Sequence, residues 1–133
     1  MELNGKTGYP MDMGIDSNEY NTRFWADGDC LDSPEAPIRI KDGQRLRVHG
    51  LDCGDGEYPI YSYIYSHLKE LRGKVCAIIY VIDGKRYGVV KEFVGIDELD
   101  GALRLAFYNP KKTYVGLKLD TIEKIYIVDG VEE

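Results

Sequence analysis

The sequence has no run of basic residues; 17 Lys and Arg are outnumbered by 23 Asp and Glu, giving a net charge of −6. Nucleic-acid binding draws mainly on Lys and Arg contacts to phosphate, and anionic membranes attract the same side chains. Direct binding to either is therefore not expected. Long apolar runs are missing too. The longest, Val75–Ile82, has eight residues, against the ~20 of a spanning helix. The opening Met1-Glu2-Leu3-Asn4-Gly5-Lys6 has no apolar stretch of the signal-peptide kind. Cysteine is scarce: Cys30, Cys53 and Cys76 form no CxxC pair. An odd, scattered set argues against a disulfide scaffold and for a reducing cytoplasm.

What is present suits one globular domain. A chain of 133 residues leaves little room for two independent cores. Its 44% hydrophobic fraction is enough to rule out wholesale disorder. Eleven tyrosines lean the composition towards β structure, where the ring packs on a half-buried face.

Residues 1–20 are polar, with glycines, a proline and the acidic Asp12, Asp16 and Glu19. They read as a flexible arm or linker remnant, and 21–133 as the folded domain. A first strand is expected in Thr22–Ala26, then a turn at Asp27-Gly28-Asp29. Pro34 and Pro37 bar a continuing helix or inner strand across 32–37. Short strands are expected at Pro37–Ile40 and Gln44–His49, around a Lys41-Asp42-Gly43 bend. Ile60–Leu71 is the helix candidate, with Ile60, Ile64, His67, Leu68 and Leu71 on one face and Arg72-Gly73 as its stop. The strongest signal is a hairpin: Val75–Ile82, the turn Asp83-Gly84 and Lys85–Val94. Further strands are expected at Ala102–Tyr108, Tyr114–Leu119 and Ile125–Val128. The sum is a mostly β, antiparallel domain with one short helix.

Two residues carry the chemistry. Cys30, in Gly28-Asp29-Cys30, lies on a turn where a side chain is held in the open. Lys91 lies in Tyr87-Gly88-Val89-Val90-Lys91-Glu92-Phe93, on the strand face of the apolar Val89 and Phe93. If that face is the inner one, desolvation lowers the lysine pKa from ~10.4. A neutral amine then takes a proton from a hydroxyl or thiol, the Ser–Lys form of nucleophilic catalysis. The residues alone equally allow a free loop cysteine and a lysine snorkelling from a strand edge.

Several segments, taken in order, resemble the LexA/UmuD/phage-repressor peptidase domain. Gly28-Asp29-Cys30-Leu31 is similar to the family's Gly-Asp-Ser-Met, and Lys41-Asp42-Gly43-Gln44 to its Asp-Gly-Asp turn. Gly73-Lys74-Val75-Cys76-Ala77-Ile78 is similar to its Gly-Asp-Ile-Val-Val strand. Gly88-Val89-Val90-Lys91-Glu92-Phe93 is similar to the strand ending in Val-Lys-Arg. Leu103–Pro110 and Ile122–Val128 resemble its Leu-x-Ser-x-Asn-Pro segment and closing strand. The likeness runs from about Phe24 to Val131. It implies a LexA-like, β-clip-type fold and a Ser–Lys dyad that cleaves a bond in the parent chain's own linker. Lys91 takes the lysine position and Cys30 the serine position, with backbone N–H groups near residue 30 as oxyanion donors. It also implies a homodimer, an SOS- or phage-type transcriptional repressor as parent, and stimulation by a RecA-type filament.

Three departures stand out. The nucleophile is a thiol, which ionises near ~8.5 and needs less help than a hydroxyl; the exchange also suits an inactive copy. No Ala-Gly or Cys-Gly pair precedes residue 30, so no scissile bond of the family type is expected in cis. The Cys30-to-Lys91 spacing is long, and the excess maps to 51–73, an insertion that adds an interface, a lid or tolerated surface.

Other groups rank lower. Ser33 precedes Pro34 and is off the motif. Of His49, Cys53, His67 and Cys76 only His49 and Cys53 are close, and Cys76 sits inside an apolar strand, which falls short of the paired ligands of a zinc site. Asp52–Glu57 and Asp97–Asp100 lack EF-hand spacing. Tyr58, Tyr61, Tyr63 and Tyr65 have no basic neighbours for nucleic acid and suit packing or a protein interface. No cofactor and no metal is expected. The alternatives to an autopeptidase are a catalytically inactive self-association module with the same fold, and a small β-barrel that binds a protein partner. The apolar Ile125–Val128 segment is the expected edge for pairing two copies.

Overall fold

The computed structural model describes residues 9–10, 24–26, 29–51 and 58–132. It is a mostly antiparallel β domain with short helices. The strands are β1 (Tyr9–Pro10), β2 (Phe24–Trp25), β3 (Arg45–Gly50), β4 (Val75–Ile82), β5 (Lys85–Asp97), β6 (Ala102–Phe107), β7 (Thr113–Lys118) and β8 (Ile122–Glu132). They form one sheet in the order β2-β3-β8-β4-β5-β6-β7, with β1 added on β5. No helix among the described residues is long and apolar enough to cross a membrane.

The unbroken apolar run of β4 has a simple cause. The strand lies between β5 and β8 and is buried on both faces. Cys76, Ile78 and Tyr80 enter one core with Val89, Phe93, Leu103 and Leu105. Val75, Ala77 and Ile79 enter the other with Phe24, Leu31, Ile40 and Val128. A strand covered on both sides needs apolar residues at every position. The β4–β5 turn forms where expected. Asp83 (φ 52) and Gly84 (φ 76) are both left-handed, which matches the twist of a two-residue hairpin.

The candidate helix is there but broken. α1 covers Ile60–Ser66 and α2 covers Leu68–Leu71. His67, at φ −113 and ψ 17, separates them. Ser66 Oγ donates to the Ser62 carbonyl (3.0 Å), and His67 Nδ1 donates to the Tyr63 carbonyl (2.8 Å). Such side-chain bonds compete with the helix ladder. The expected face still packs inward. Ile64 and Leu71 are fully buried, and Ile60, Tyr63 and Leu68 lean on the same core. Residues 58–71 thus roof one face of the sheet and are not loose surface.

Two expectations need correction. Pro37–Ile40 is irregular, not a strand. Ile40 is buried, but its N–H donates to the Leu31 carbonyl at 3.1 Å, which ties it to a loop and not to a ladder. Ile125–Val128 is not an edge. It lies inside β8, which pairs with β3 on one side and β4 on the other. Both sets of backbone groups are used, so the segment has none left for a second copy. Of the expected arm, Tyr9–Pro10 is paired as a strand; the rest lies outside the described residues, as does the Asp27-Gly28 turn.

Candidate active site

β5 is longer than its partners, and its two edges are used differently. One edge runs along β4 from Lys85 to Glu92. The other takes β1 at Tyr87 and Gly88, and β6 from Glu92 to Asp97. Between Gly88 and Glu92 that second edge pairs with no strand among the described residues. The Cys30 turn occupies this gap. Cys30 Sγ donates to the Val90 carbonyl at 3.6 Å, a long contact suited to the weak S–H donor.

The turn is held from several sides. Tyr108 and Asn109 donate their backbone N–H groups to the Cys30 carbonyl at 2.8 and 3.1 Å. The Asn109 side chain donates to the Asp29 carbonyl at 3.1 Å. Leu31 is buried beside the turn. Cys30 as a residue is half-buried, so the turn is fixed in place without being sealed in the core.

Lys91 is the next residue along β5. It is fully buried, and its alternation with the core residues Val89 and Phe93 places it on their face. Its Nζ lies 4.6 Å from the centre of the Phe107 ring and has no hydrogen-bond partner among the described residues. Burial pushes the amine below its ordinary value of 10.5, and Cys30 opposes that shift through its charge and its capacity to hydrogen-bond. The two are therefore neighbours, not a formed hydrogen bond. Desolvation is the larger effect, and it favours the neutral amine. A cation over Phe107 recovers only about 1–2 kcal/mol, less than the several kcal/mol that burying an ammonium costs.

The other sequence candidates do not join this pair. Ser33 Oγ accepts from the Glu35 N–H at 3.2 Å, in a local turn. His49 bonds to Asp129 at 2.8 Å on the surface. Cys76 sits in the core, where burial pushes its thiol up to about 12. His67 is committed to the Tyr63 carbonyl. Asp97 Oδ1 accepts from the Leu99 and Asp100 N–H groups, closing its own turn. Among the described residues no three His, Cys, Asp or Glu side chains gather as metal ligands. Cys53 and 52–57 lie outside the described residues.

Sequence reasoning missed the supports. Phe107, Tyr108 and Asn109 follow one another at the end of β6. One lies against Lys91; the other two hold the Cys30 turn. Tyr108 OH also donates to Glu92, beside Lys91. The only signal in the sequence was Asn109-Pro110, a strand breaker; where the broken chain would go was not encoded locally.

Comparison with family models, with curated proteins and with solved structures found no match.

Proposed function

We propose that this domain is a self-cleaving peptidase module of the LexA-like kind, with Cys30 as nucleophile and Lys91 as its base. The observation that carries this reading is a fully buried, unpartnered lysine amine beside a half-buried cysteine held on a tight turn. In this reading Lys91 accepts the Cys30 proton as sulfur attacks the scissile carbonyl. Backbone N–H groups around residue 30 stabilise the oxyanion. The resulting ammonium returns the proton to the leaving amine, leaving a thioester. Water, deprotonated by the same amine, then releases the acyl group.

The substrate in this reading is an extended segment of the parent chain's linker. The edge of β5 supports it: beside the stretch that the Cys30 turn fills, β1 already adds as an antiparallel strand at Tyr87 and Gly88, and strand addition is a common way to hold a peptide. A homodimeric repressor acting in the cytoplasm, with a RecA-type filament as stimulus, belongs to the same proposal. β7 supports self-association, since its outer edge has no strand partner among the described residues.

The decisive test is the pH dependence of Cys30 alkylation, followed by peptide mapping in a Cys53→Ser background. Cys76 can stay, because it is fully buried. The expected result is a pH dependence of Cys30 alkylation that changes in Lys91→Met. Identical curves with and without Lys91 would reject the dyad and leave the assembly-module reading.

A further inference from the structure

We propose that Cys30 and Lys91 are also a modification site: peroxide oxidises the thiol, and the neighbouring amine closes a reversible sulfur–nitrogen bond. The inference rests on the same pairing as the proposed peptidase, and it adds a regulation of that site.

The geometry supplies both reactants. Cys30 is half-buried as a residue, whereas Cys76 is buried. Cys30 Sγ reaches the Val90 carbonyl at 3.6 Å, and Lys91, the next residue, carries a fully buried amine with no hydrogen-bond partner among the described residues. Burial favours its neutral form, and the lone pair of a neutral amine is nucleophilic. Among the described residues Cys76 is the other thiol, and it directly faces Lys91 across the β4–β5 ladder. It is fully buried and its thiol is pushed up to about 12, so it forms little thiolate to react with peroxide.

The chemistry balances in two steps. The Cys30 thiolate attacks one peroxide oxygen; the O–O bond breaks, hydroxide leaves and a sulfenic acid forms. The Lys91 nitrogen then attacks that sulfur. An S–N bond forms, the S–O bond breaks, and the departing hydroxide takes a proton from nitrogen as water. Overall, one thiol, one amine and one peroxide give one sulfenamide and two waters. Sulfur loses two electrons and peroxide gains them. The product removes both groups of the dyad together, and a thiol reductant restores them by attack at sulfur. It also keeps sulfur from the irreversible sulfinic state.

The test is hydrogen peroxide added to the whole chain in a Cys53→Ser background, read by intact mass and by peptide mapping. The expected product is lighter by about 2 Da, links the Cys30 and Lys91 peptides, and reverts with dithiothreitol. A Cys30–Cys76 disulfide has the same mass, so Cys76→Ala is run alongside. The light product should persist in Cys76→Ala and disappear in Lys91→Met. Its loss in Cys76→Ala, or gain of about 32 Da at Cys30 without any cross-link, would overturn the inference. The two proposals fail separately. Alkylation coupled to Lys91 without an S–N link removes the switch and leaves the dyad; uncoupled alkylation removes the dyad, while the cross-link is still read directly.

Discussion

Cys30 Sγ donates to the carbonyl of Val90 across 60 residues of sequence, and Lys91 is the residue that follows that carbonyl. One turn and one strand edge therefore place a thiol beside an amine. The amine sits in the core without a hydrogen-bond partner. An unpaired buried donor costs about 1–3 kcal/mol, so the fold holds Lys91 at the expense of its own stability.

Replacing that amine should stabilise the protein and remove the coupling to Cys30. Lys91→Met is expected to gain about 1–3 kcal/mol near neutral pH. The sign of its pH dependence follows from the lowered folded value. Between that value and 10.5 the unfolded chain holds more protons than the folded one, so stability due to Lys91 rises with pH. The advantage of Lys91→Met should therefore shrink as pH rises through this window. Urea midpoints of both proteins across a pH series measure it; a constant difference would show that Lys91 does not change its charge on folding.

Asn109→Ala should loosen the Cys30 turn without opening the core. It removes the bond to the Asp29 carbonyl, worth about 0.5–1.5 kcal/mol. The backbone bonds from residues 108 and 109 to Cys30 remain. The expected readout is a small fall in stability with a weaker dependence of Cys30 alkylation on Lys91. An alkylation curve identical to wild type would mean that the backbone bonds alone position the thiol.

Tyr108→Phe removes the hydroxyl that donates to Glu92. A hydrogen bond to a charged group contributes about 1.5–3 kcal/mol, and the phenyl ring keeps the packing of the apolar part. Urea denaturation at neutral pH should show a loss in that range. An unchanged midpoint would mean that water replaces the hydroxyl at Glu92.

Leu71→Ala tests whether the helical segment belongs to the core. Leu71 is fully buried and packs with Ile64 against the sheet. Truncating such a side chain costs about 2–5 kcal/mol. A loss below about 0.5 kcal/mol would make 58–71 a detachable cover.

Local pattern was enough for the hairpin and for the existence of the helix. The β4–β5 hairpin is legible because a β-branched run, an Asp-Gly turn and a return strand are adjacent in sequence, and each fixes its own geometry. Only the return strand runs further, to Asp97, past a register shift between Phe93 and Gly95. The helix was legible from its apolar face; its break at His67 was not, because side-chain bonds to backbone leave no hydrophobic period. Pro37–Ile40 misled because an apolar residue between polar ones fits a buried loop as well as a strand.

The sequence by itself determined the strand-rich composition, the hairpin, the turn glycines and the alternation that sets Lys91 between Val89 and Phe93. It named Cys30 and Lys91 as residue types able to form a dyad. Only the tertiary structure decided that β8 is interior, that β5 has an unpaired stretch of edge, and that the Cys30 turn fills it. Those outcomes depend on contacts between segments far apart in the chain, and a local pattern holds no record of which distant backbone will satisfy a given strand. The burial of the Lys91 amine has the same origin. Its neighbours in sequence fix the face it points from, but Phe107 and Cys30 come from elsewhere and complete its surroundings.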